Sequence, residues 1–152
     1  MVHLTEGIGS MSDKKSDQCV CGKVSYTVVG EPARITICHC KWCQRRTGSA
    51  FGVEVVFEAR QIRINDELIS RYRHYSDESG RWLDQHFCAQ CGANIGFTLE
   101  AVPSIRTIAA GSFHDQSWLS DDKYRLRHVF TRLAQHWSNI PSEVEQFEEH
   151  FR

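Results

Sequence analysis

The chain has 152 residues, 41% of them hydrophobic, enough to bury the core of one domain. Its 18 Lys+Arg against 19 Asp+Glu leave a net charge of −1, which excludes a basic nucleic-acid binder held by bulk charge. The longest apolar runs, such as Val55-Val56-Phe57, fall far below the roughly 18 residues of a membrane span, so a soluble protein is expected.

In chain order, residues 1–17 carry Asp, Lys, Ser and Gly without an extended apolar stretch. They read as a flexible N-terminal tail and not a secretory signal, followed by a single domain over 18–152 in a cytoplasmic setting. Lys23 to Val29 places Val24, Tyr26 and Val28 on one face of a strand, and Gly30-Glu31-Pro32 breaks it before Ile35-Thr36-Ile37. The same period of two, rich in β-branched and aromatic residues, marks Phe51 to Phe57, Gln61 to Ile64, Ile69 to Tyr75, Leu83 to Phe87, Ile95 to Leu99, Ile105 to Ala109 and Arg127 to Thr131. A mainly β domain of antiparallel strands is therefore predicted. Only the C-terminus predicts a helix, where Pro141, a Ser142-x-x-Glu145 capping box and Val144, Phe147 and Phe151 on one side suggest a short lid over one edge.

The seven cysteines all fall in clusters: Cys19 and Cys21, then Cys38, Cys40 and Cys43, then, after 44 intervening residues, Cys88 and Cys91 followed by Gly92. A reducing compartment argues against disulfides, and an odd count cannot pair fully. In a strand, Cys19 and Cys21 would present two sulfurs on one face, and Cys88-x-x-Cys91 is a knuckle whose turn Gly92 closes. Together they supply four thiolates for a closed, structural zinc that clips the first strand to a segment about seventy residues later. The middle cluster supplies three, the arrangement expected where zinc keeps one position for a substrate or a water. An incoming thiol suits that position because zinc favours soft ligands, and the neighbouring Lys41, Arg45 and Arg46 could hold substrate carboxylates. The alternative is a second structural zinc completed by a histidine; His39, between two ligands, would face away from them in an extended segment. The remaining histidines and Trp82, Trp118 and Trp137 read as surface or packing residues, and Trp42, inside the cluster, could wall a pocket.

Cys19-Val-Cys21-Gly22-Lys23-Val24-x-Tyr26, Cys38-His39-Cys40-x-x-Cys43-Gln44-Arg45-Arg46-Thr47-Gly48-Ser49 and Phe87-Cys88-x-x-Cys91-Gly92 resemble the motifs of the glutathione-dependent formaldehyde-activating family, which includes the centromere protein V relatives. Ala110-Gly111-Ser112-Phe113-x-Asp115, His128-Val129-Phe130 and Trp137 extend the resemblance over about residues 18 to 150. It implies a β-tent fold with two zinc ions, structural at Cys19, Cys21, Cys88 and Cys91 and reactive at Cys38, Cys40 and Cys43. It implies a carbon–sulfur lyase handling the adduct of glutathione with formaldehyde or a related small aldehyde, with Arg45, Arg46, Thr47 and Gly48 as substrate-binding positions. Glutathione and a small aldehyde are the expected partners, without nucleic acid or membrane, and self-association stays open. Other functions compatible with these residues are a non-catalytic glutathione or zinc carrier and a protein-interaction module like the centromere relatives.

Overall fold

The structure is a computed structural model and describes residues 13–120 and 124–150. Its strands are β1 (Lys14–Gln18), β2 (Ser25–Val29), β3 (Arg34–Cys38), β4 (Gly52–Glu58), β5 (Ile62–Ile64), β6 (Ile69–Tyr75), β7 (Trp82–Cys88), β8 (Asn94–Leu99), β9 (Ile105–Ala109), β10 (Arg127–Val129) and β11 (Glu145–Gln146), with one α-helix, α1 (Lys41–Thr47). They form three sheets, ordered β1-β2-β5, β11-β10-β3-β4-β9 and β6-β7-β8. The mainly β expectation is met, and the predicted strands from Lys23 to Ala109 correspond to β2 and β4–β9.

Burial follows the alternation read from the sequence. In β2, Tyr26 and Val28 point inward while their neighbours are exposed or half-buried, and Val24, Ile35, Val55, Phe57, Ile95 and Ile108 complete a fully buried centre. β4 is buried along nearly its whole length because β3 and β9 flank it and the other sheets cover it. A side chain also ties the end of β5 to the start of β2 within their sheet: Asn65 accepts from the Ser25 amide at 2.8 Å and donates to the Lys23 carbonyl at 2.9 Å.

Four local expectations are corrected. Lys14–Gln18 is strand β1, paired antiparallel with β2, so the tail does not reach residue 17; residues 1–12 lie outside those described. The sheets are not wholly antiparallel, since β10 runs parallel to both β3 and β11. Periodicity carries no strand direction, and the chain reaches β10 only after crossing from β9 to the opposite side of β3. The C-terminal segment is extended and not helical. Phe147 N–H donates to the His128 carbonyl at 2.9 Å and Phe130 N–H to the Glu149 carbonyl at 3.1 Å, so the exposed edge of β10 recruits a strand where about ten residues would make only a marginal helix. Phe151 lies outside the described residues, and Trp137 is 67% exposed, so it is not a packing residue.

One close approach shapes the site. A Cβ on Gly96 would lie 2.0 Å from the Thr107 carbonyl oxygen, so only glycine lets β8 settle against β9 there. The Thr107 hydroxyl accepts from Phe97 N–H at 2.9 Å, and the β6-β7-β8 sheet thereby folds over the five-stranded one.

Candidate metal centre

The first cysteine cluster joins two turns. Cys19 follows β1 and lies in a turn, not in the extended strand expected from its spacing: Gly22 N–H reaches the Cys19 carbonyl at 3.1 Å, with Gly22 at φ 77°. Cys88 ends β7 and repeats the geometry, with Gly92 N–H bonded to its carbonyl at 2.8 Å and Gly92 at φ 74°. A turn brings sulfurs two or three residues apart onto one point without relying on strand pleating. The Cys19, Cys21, Cys88 and Cys91 sulfurs all lie within 4.8 Å of one another, and two of the separations are 3.6 Å (Cys19–Cys21) and 3.8 Å (Cys21–Cys88). Tetrahedral zinc with Zn–S bonds near 2.3 Å requires sulfurs about 3.8 Å apart, so the donor set fits that ion. Its position clips the β1–β2 connection to the β7–β8 connection.

The sulfurs share charge. Burial opposes ionisation of Cys19, but the Val24 amide and the sulfurs of Cys21, Cys88 and Cys91 outweigh it and bring this thiol down to about 6. The Lys23 amide favours ionised Cys21, yet burial and the Cys19, Cys91 and Cys88 sulfurs push it up to about 11. Without a cation the cluster thus tolerates few thiolates; a divalent ion supplies the compensating charge for all four.

The second cluster is built by the end of β3 and the start of α1. Cys38 closes β3, Cys40 is the helix N-cap, and Cys43 N–H donates to the Cys40 sulfur at 3.3 Å. Gly48 at φ 64° ends the helix. Sequence periodicity misses this helix because seven residues offer barely two turns; a sulfur-bearing N-cap and a glycine just past Thr47 were its available signals. The three sulfurs lie within 4.8 Å of one another, and among the described residues no fourth metal-binding side chain joins them. Hydrogen bonds from the Cys38 and Cys43 thiols hold Cys40 down at about 3, helped by the Cys43 and Trp42 amides against burial. Cys38 is pushed up in turn by Cys40 and Cys43 and by burial; for Cys43 the bond with Cys38 favours the thiolate, but Cys40 and burial win and raise it to about 11.

His39 faces away from the sulfurs, as expected: it is fully buried, with Nε2 2.8 Å from His128 Nδ1, and stacks on His128. Gln44 fixes the helix from the other side, donating to the carbonyls of His39 at 2.7 Å and Leu133 at 3.0 Å.

The predicted substrate-binding positions are placed elsewhere. Arg46 is buried in an ion pair with Glu54 and lies over the rings of Trp42 (4.9 Å) and Phe97 (5.0 Å), and its Nη2 donates to the Cys43 sulfur at 3.7 Å. Arg45 is exposed, Thr47 bonds back to the Cys43 carbonyl at 2.7 Å, and Gly48 is the helix cap. These four residues serve the helix and the charge beneath the cluster, and none of them lines the cavity.

That cavity, of about 690 Å³, opens from Cys38, Cys40 and Cys43 between the five-stranded sheet and the β6-β7-β8 sheet. Trp42 does wall it, stacked on His74 at 5.5 Å and edge-on to Phe97 at 5.3 Å. Its ionic lining includes Lys41, Asp77, Arg81 and Glu54. Glu54 is 2% exposed, and among the described residues its Oε2 has no partner while Oε1 holds Arg46. Sequence reading missed Glu54 because it sits within an apolar strand, and its position beside Cys38 follows from the β3–β4 register, which pairs Thr36 with Glu54 and Cys38 with Gly52.

A mainly β domain with a four-sulfur clip and a three-sulfur site at a cavity defines a thiolate metal-site class. A sequence-family model for the glutathione-dependent formaldehyde-activating enzyme matches residues 14–132, and the chain belongs to that family. The crystal structure of a Rhodobacter sphaeroides protein from a structural genomics programme has the same fold, with a TM-score of 0.54 at 18% identity over 70% of this chain and 96% of that one. No curated protein matches the sequence. Among the described residues no helix is long and apolar enough to cross a membrane.

Proposed function

We propose that this chain makes and cleaves the adduct of glutathione with formaldehyde or a related small aldehyde, a carbon–sulfur lyase reaction, with one zinc at each cysteine cluster. The observation that supports this most is a three-sulfur site, without a fourth ligand among the described residues, at the end of a cavity. Zinc bound by Cys38, Cys40 and Cys43 supplies a Lewis-acidic position that favours the thiolate form of an incoming sulfur at neutral pH.

The chain's own residues do the rest. Arg46, held by Glu54, places a positive charge against the Cys43 sulfur and offsets the surplus negative charge of three thiolates. Lys41 and Arg81 are the cavity cations for the two glutathione carboxylates, and Asp77 suits its ammonium. As the carbon–sulfur bond forms, the carbonyl oxygen takes up the proton the thiol gave up. Glu54 Oε2 is the group that holds and delivers it, since it faces the cavity two residues along β4 from the position opposite Cys38. Holding both reactants side by side in one cavity is a large part of the catalysis, because proximity replaces a bimolecular encounter.

Magnetisation-transfer NMR of the exchange between free formaldehyde plus glutathione and their adduct tests this. Zinc-loaded protein is expected to exceed the protein-free rate, and Cys43→Ser and Glu54→Gln to lose most of the excess. A rate equal to the blank with glutathione still bound would replace the enzyme by a carrier.

A further inference from the structure

The cavity is much larger than formaldehyde needs, and its two ends differ in chemistry. Its floor is one face of β3, β4 and β9. Cys38 marks one end, opposite Gly52; Thr36 and Glu54 follow as a pair, then Arg34 and Val56, with Thr107 beside Val56 on β9. Arg34 lies four residue steps before Cys38, about 13 Å at the strand rise. The polar groups that serve the chemistry, Thr36 and Glu54, thus lie next to the sulfurs.

Farther along, the lining turns apolar. Ile105 lies two residues beyond Thr107 on β9, Leu99 two beyond Phe97 on β8, and the bond from Phe97 N–H to Thr107 places Leu99 beside Ile105. Val56, Leu83, Ala101 and Val102 complete this end. Arg34, at its floor, is engaged within the fold. Asp77 and Arg81, on the turn between β6 and β7, flank this end as the groups for glutathione's ions, and the hydrocarbon walls beside them are left untouched by a one-carbon aldehyde. Cavities of this volume and lining take ligands that bury apolar surface against them.

From this geometry we infer that the site takes glutathione adducts of aldehydes carrying an extended apolar group, aromatic or a chain of about six to eight carbons, with that group directed along the floor toward Val56 and the Leu99–Ile105 wall. At about 1.3 Å of advance per carbon, such a chain started at the sulfur advances about 8–10 Å along the roughly 13 Å separation and brings its end up to the apolar walls. The inference rests on the glutathione reading of the three-sulfur site. The reaction is balanced without an oxidant: the sulfur–carbon bond forms, the carbonyl π bond breaks, and the thiol proton ends on the new hydroxyl.

Calorimetric titration of the zinc-loaded protein with S-methylglutathione and S-hexylglutathione tests the subsite apart from the chemistry. A buried methylene gains about fourfold in affinity, so two or more of the five added ones predict at least tenfold tighter binding of the hexyl conjugate. Ala101→Trp, at an exposed loop position, should bring the hexyl-to-methyl ratio close to one. Equal or weaker binding of the hexyl conjugate, with the methyl one bound, would overturn the apolar subsite and leave the glutathione reading standing. An unchanged ratio in Ala101→Trp would overturn its placement, and failure of both conjugates to bind would overturn the glutathione reading and the subsite together.

Discussion

The buried Arg46–Glu54 pair beside the Cys43 sulfur makes a direct prediction for stability and metal retention. Their side chains are 2% and 3% exposed, so neither charge is solvated by bulk water. Two unit charges about 4 Å apart attract by about 4 kcal/mol at the effective dielectric of protein sites, and the desolvation of the two ions together costs a comparable amount. The pair as a whole is therefore close to neutral for stability, whereas one partner alone is an uncompensated buried charge. Arg46→Met is predicted to destabilise the zinc-loaded protein by about 3–5 kcal/mol, and Arg46→Met/Glu54→Leu to recover most of that loss. Urea unfolding of the wild type, both single variants and the double variant gives the coupling energy directly. Arg46 also donates to the Cys43 sulfur, so competition with a zinc chelator should show weaker metal retention at the three-cysteine site in both Arg46 variants. A single-variant cost below about 1 kcal/mol, or a double variant no more stable than the worse single, would refute the reading of Arg46 as a buried counter-charge.

Further outcomes follow from the same geometry. Gly96→Ala places a Cβ 2.0 Å from the Thr107 carbonyl oxygen and must separate β8 from β9, so a loss of at least about 2 kcal/mol and a slackened cavity wall are expected by urea unfolding and by hydrogen exchange at Phe97. Cys88→Ser should lower the zinc content by one ion per chain in metal analysis and loosen the β1–β2 and β7–β8 connections together, since its sulfur lies 3.8 Å from that of Cys21 across the clip. Phe147→Ala removes a half-buried ring packed against the Cys38, Cys43 and Val129 cluster and should cost about 1–2 kcal/mol without lowering helix content by circular dichroism, as an extended C-terminal segment requires.

Much of this protein is legible in its residues alone. Strands β2, β4, β8 and β9 announce themselves because each buries one face, or both, and in β5–β7 the period of two survives in the spacing of Ile, Tyr, Leu and Phe even where burial is only partial. The partition of the seven cysteines into four and three is equally local, since knuckle spacing and a following glycine are properties of short segments. Such motifs also carry the family.

What the residues leave open is decided by pairing at long range. The seven-residue helix that sets Cys40 and Cys43 is too short for a periodic signal. The C-terminal segment has a helix's capping pattern, yet the unpaired edge of β10 offers its backbone better partners. Arg46 reads as a substrate clamp while its neighbours in sequence are considered, and becomes a buried counter-charge once the β3–β4 register brings Glu54 beneath the sulfurs. The cavity itself exists only because Gly96 lets one sheet close over another, so its apolar end is a property of register and packing that no single segment contains.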